Sequence, residues 1–204
     1  MSSSNNSTEE NEGSIPESFV IGVLDFINFC ISILNKAEKE KINLKFTPAM
    51  AKTAHTYLKS LNPEQVIMKF INKSYPDWEK CIINKEDPNW QNMMSDRRKD
   101  LYSTIKTLFT SIPSDMIDSI FEIFDLKVND KLLVTPEDDI SMWDYLNEFI
   151  RLSIYYVHEK RDWGITDKIG EDGKPKNGYR KIYESGIKLK SLAEKFEVAL
   201  DFSN

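Results

Sequence analysis

Proline placement constrains the fold of this chain more than any other feature. Seven of the eight prolines, Pro16, Pro48, Pro63, Pro76, Pro88, Pro113 and Pro136, stand just before an apolar run with helical spacing. Proline suits the first helical position, because its fixed φ is already helical and its missing N–H would have had no partner there. Thr47, Asn62, Asp87 and Thr135 precede four of these prolines and carry oxygens that accept a backbone N–H of the first turn. Glu17, Glu64, Asp77 and Glu137 follow, placing negative charge where the helix dipole favours it. The pattern predicts helices at about 16–40, 48–60, 63–73, 76–84, 88–111, 114–125, 136–161 and 180–200, with short connectors.

No period-two strand series and no βαβ rhythm occurs. Only Val128–Val134 (VNDKLLV) reads as a brief extended piece. The predicted fold class is all-α: a single irregular helical bundle of about seven to eight helices, with room for one small β-hairpin near 164–180. Residues 1–14 read as a disordered acidic and polar tail, and 15–204 as one domain. A chain of 204 residues buries roughly 70% of its unfolded surface, so it needs no metal or disulfide to fold.

The most apolar stretch, Phe19–Leu34, raises the question of a membrane span. It is shorter than the ~20 residues a bilayer core requires. Asp25 near its centre would cost about 3 kcal/mol on insertion. Gly22, Asp25, Asn28, Ser32 and Asn35 recur every three or four residues and form one narrow stripe, the rest being Val, Ile, Leu and Phe. That is a core helix with one wet edge, so no transmembrane segment is expected. The polar, acidic start resembles neither a signal nor a transit peptide, and an intracellular, cytoplasmic location is expected. The glycosylation triplets at Asn5, Asn6 and Asn72 then read as chance.

The segment beginning at Pro136 is expected to be the central helix. Ile140, Trp143, Ile150, Ile154 and Val157 form one apolar stripe, and Tyr145, Phe149, Leu152 and Tyr156 a second. Two stripes require neighbours on both sides. The last helix is amphipathic, with Ile182, Leu189 and Phe196 on one side and Lys181, Glu184, Lys188 and Lys195 on the other.

Motifs that carry chemistry are scarce. The two histidines, His55 and His158, lie in no His-Asp, Glu-x-x-His or H-E-x-x-H pattern. His158 is expected to be solvated near a helix end. Cys30 and Cys81 sit in apolar runs and read as buried, reduced thiols. The best carboxylate group is Glu137, Asp138 and Asp139, continued by Asp144 and Glu148 on one face. It suits a divalent metal or an acid–base pair, but the preferred reading is an acid-rich first turn followed by a solvated face. No cofactor is implied.

The stretch from Arg161 to Lys181 holds four of the seven glycines, Gly164, Gly170, Gly173 and Gly178. It fails the P-loop, dinucleotide and EF-hand templates in spacing and ligand type. It reads as a long polar connector, a loop at 164–178, and loops of that length are commonly functional or disordered.

Charge segregation is the stronger signal. Ten acids face two lysines between Asp115 and Glu148, whereas Lys174, Lys176, Arg180, Lys181, Lys188 and Lys190 oppose Glu184 alone. Segments of opposite sign steer association, head to tail or with a charged partner. The expected function is a non-catalytic protein-binding or structural assembly module, engaging a protein partner or a second copy through those six basic residues. Two alternatives remain. One is nucleic-acid binding through the same basic region, where Tyr179 and Tyr183 interleave with cations, against a net charge of −6. The other is a metal-dependent hydrolase using the 137–148 acids. Lysine outnumbers arginine 22 to 5, and isoleucine and asparagine are abundant. That bias fits an AT-rich genome such as that of a large DNA virus.

Overall fold

In the computed structural model, the described residues are 13–42, 44, 46–82, 89, 126–128, 130–160 and 186–201. They contain helices α1 (Ile15–Lys39), α2 (Pro48–Lys59) and α3 (Pro63–Ser74), followed by a 3₁₀-helix at Tyr75–Cys81. Strands β1 (Lys127–Val128) and β2 (Lys131–Leu132) come next, then helices α4 (Pro136–Glu159) and α5 (Gly186–Lys195). The described residues are mostly helical and hold five α-helices, where seven to eight were expected of the whole chain. The helices expected at 88–111, apart from Asn89, and at 114–125 lie outside the described residues, as do the loop at 164–178, the hairpin near 164–180 and residues 1–12 of the tail expected at 1–14, whose last residue Ser14 instead caps α1.

The proline punctuation accounts for these starts. The Ser14 amide and hydroxyl both donate to Glu17 Oε2, at 2.9 and 3.0 Å, at the head of α1. Thr47 Oγ1 accepts from the Met50 amide at 3.3 Å, and Asn62 Oδ1 from the Gln65 amide at 3.2 Å. At α4, Thr135 and Asp138 cap each other: the Thr135 amide donates to Asp138 Oδ2 at 2.9 Å, and the Asp138 amide donates to Thr135 Oγ1 at 3.2 Å.

Two of the helix ends share a motif. After α1, Lys41 takes a left-handed φ of 59° and the Ile42 amide reaches back to the Ala37 carbonyl at 3.1 Å. After α5, Glu197 takes φ 54° and the Val198 amide reaches Ala193 at 2.8 Å. Both are Schellman caps, with a charged residue where glycine is usual. The last helix was expected to reach residue 200. It stops at Lys195 because Glu197 reverses the backbone, and Val198 and Leu200 then pack against the core outside the helix.

Two further expectations change. The helix expected at 76–84 is a 3₁₀ turn that ends at Cys81, where Ile82 is extended. An antiparallel ladder pairs Lys127 with Leu132 and Val128 with Lys131, so the chain is not purely helical. Between the strands, Asp130 adopts a left-handed φ of 63°. This ladder overlaps the VNDKLLV segment that reads as extended.

Helix α1 lies among α2, α3 and α4. Phe19, Val23, Phe26, Ile27, Ile33 and Leu34 on α1 are buried in one continuous core, each contributing about 2 kcal/mol by leaving water. The helix is long and apolar enough to cross a membrane, and here its apolar surface forms the centre of the bundle. Asp25, Asn28, Ser32 and Asn35 are exposed as expected, joined by Ile21 at 58% exposure. Gly22 departs from the polar stripe. A methyl group built on it would stand 3.2 Å from Phe149 Cε1, so the glycine lets α1 and α4 approach closely.

Phe149 is the hub of that contact. Its ring centroid lies 5.4 Å from Phe19, 6.1 Å from Phe70, 6.2 Å from Phe26 and 6.4 Å from Tyr145. Rings from α1, α3 and α4 thus meet at one point, largely tilted or edge-on, as ring quadrupoles prefer. Trp78 of the 3₁₀-helix closes the cluster against Phe70 at 6.5 Å. Its indole N–H donates to Ser74 Oγ at 2.8 Å, and that hydroxyl donates to the Phe70 carbonyl at 2.8 Å.

Candidate functional site

Helix α4 turns one side to the core and leaves Asp144 and Glu148 exposed, one turn apart. Ser141 and Tyr145 lie beside them with the same spacing. These four residues line a shallow hollow of about 350 Å³. Tyr145 forms its floor. The inner side of that ring packs edge-on against Phe26 at 5.6 Å and tilts against Phe29 at 5.9 Å. Burial pushes the Tyr145 phenol up, with a smaller push from the Asp25 carboxylate and a further one from Cys30. Asp25 belongs to the wet stripe of α1, so a carboxylate from a second helix acts on the phenol of this half-buried residue. Carboxylates and an aromatic ring at one place are the groups that cationic side chains contact, by charge and by cation–π approach.

Of the acids at 137–139, Asp138 has a structural task. Asp138 is held by the Thr135 cap and accepts Lys36 Nζ at 3.2 Å, tying the end of α1 to the start of α4. Glu137 is exposed and Asp139 half-buried. Among the described residues, no three His, Cys, Asp or Glu side chains gather as metal ligands would. Of the six basic candidates, Lys190 is exposed on α5 and Lys188 falls within the same helix. Lys174, Lys176, Arg180 and Lys181 lie outside the described residues.

His158 is not simply solvated. Its ring is half-buried and Nε2 lies 2.7 Å from the Asp201 carbonyl. A carbonyl only accepts, so Nε2 carries the proton and donates, pinning the C-terminal segment to α4. Cys30 and Cys81 are buried and form no disulfide, and burial pushes the Cys30 thiol up to about 12. At neutral pH that group is no nucleophile. At the Asn72 triplet the asparagine itself is exposed, while the Ser74 hydroxyl is buried and bonded within the core.

One polar cluster has no signature in the sequence. The Tyr156 hydroxyl, on a residue 2% exposed, donates to Glu64 Oε1 at 2.8 Å. Lys160 Nζ pairs with the same oxygen at 3.1 Å and sits 5.3 Å over the Tyr156 ring. The Tyr156 hydroxyl first, then Lys160, holds the Glu64 carboxyl below its usual range. The start of α3 is thereby clamped to the end of α4. Its partners are 92 positions apart, and each fits locally as a first-turn acid or a stripe residue.

Comparison with protein-family models, with curated proteins and with solved structures found no match for this chain.

Proposed function

We propose that this chain is a non-catalytic protein-binding or assembly module working through surfaces of opposite charge. The observation that carries this reading is the hollow on α4, where Asp144 and Glu148 rim the half-buried Tyr145 ring. An aromatic floor held by the core and ringed by carboxylates suits lysine or arginine side chains of a partner protein. Charge segregation along the chain supports the same reading, with acids dominating 115–148 and bases dominating 174–190. The basic segment is the complementary contact, and it meets an acidic face on the partner or on a second copy.

Affinity purification from the native source, followed by mass spectrometry, tests the proposal. One variant reverses Asp144 and Glu148 to lysine, and a second reverses Lys174, Lys176, Arg180 and Lys181 to glutamate. Each is expected to lose co-purifying protein with an unchanged circular dichroism spectrum and melting temperature. Undiminished recovery by both variants overturns the proposal. Salt-sensitive retention on single-stranded nucleic acid, lost only by the second variant, would favour nucleic-acid binding instead.

A further inference from the structure

We draw no further inference here: the strongest candidate, the shallow acidic hollow on α4 lined by Ser141, Asp144, Tyr145 and Glu148, belongs to the site already described, and nothing in the structure shows what covers it.

Discussion

Gly22 and Ser74 show how single residues set tolerances in this fold. Glycine inside a helix ordinarily costs about 1 kcal/mol relative to alanine. At Gly22 the added methyl would press on Phe149, and four neighbouring rings hold Phe149 in place. Overpacking costs about 1–3 kcal/mol, so Gly22→Ala is expected to lower stability by about 1 kcal/mol despite its better helix propensity. Thermal denaturation followed by circular dichroism checks the sign, and a rise in melting temperature would contradict this account. At Ser74 the hydroxyl bridges the Trp78 indole and the Phe70 carbonyl, both within 2.8 Å. Ser74→Ala strands a buried indole N–H and is expected to cost about 1–3 kcal/mol in urea titration. Spacing alone assigns Gly22 to the polar stripe, because periodicity locates a side of a helix without saying how closely a neighbour approaches it.

The helix caps divide into those legible from sequence and those that are not. Proline and a capping oxygen act within four residues, with a first-turn acid as well at α1, α3 and α4, so the starts of α1, α2, α3 and α4 follow from the sequence. Two of the ends do not, because Lys41 and Glu197 occupy left-handed positions that glycine normally marks. Lys41→Gly and Glu197→Gly are each expected to raise stability by about 0.5–1 kcal/mol by relieving the left-handed backbone strain at these positions. Chemical denaturation with an unchanged slope checks this, and a loss of stability would show that these side chains hold the caps in some other way. The same limit explains why the end of α5 was expected at residue 200. Phe196, Val198 and Leu200 continue an apolar pattern even though the backbone leaves the helix.

Across the whole molecule, long-range ties join elements that the sequence keeps far apart. Lys36 meets Asp138, Lys195 meets Glu79 at 3.1 Å, and Glu64 meets both Tyr156 and Lys160. The exposed pairs contribute little, about 0–1 kcal/mol each. The Glu64 clamp has a pH signature. Its carboxyl titrates lower in the folded chain than in the unfolded one, so its stabilisation is complete above the unfolded pKa of about 4.3 and fades as pH falls through the folded value. Glu64→Gln is therefore expected to flatten the acid limb of the stability curve below about pH 5, with little change in shape near neutrality. An acid limb as steep as that of the parent protein would remove the clamp from the account. The core was legible because α1 and α4 carry their apolar stripes in plain periodicity. The clamp was not, since it depends on which helix lies beside which; of the hollow, the shared face of Asp144 and Glu148 was legible and the packing of Tyr145 against Phe26 and Phe29 was not.

Tyr145 faces two ways, and this shapes how an occupant of the hollow would be received. Its inner side is wedged among Phe26, Phe29 and Phe149, so a visitor finds a floor already rigid and little motion is left to freeze out on docking. The same wedging makes the ring a poor place to probe recognition, because trimming it loosens the aromatic knot beneath. The carboxylates at the rim can be altered without disturbing that knot.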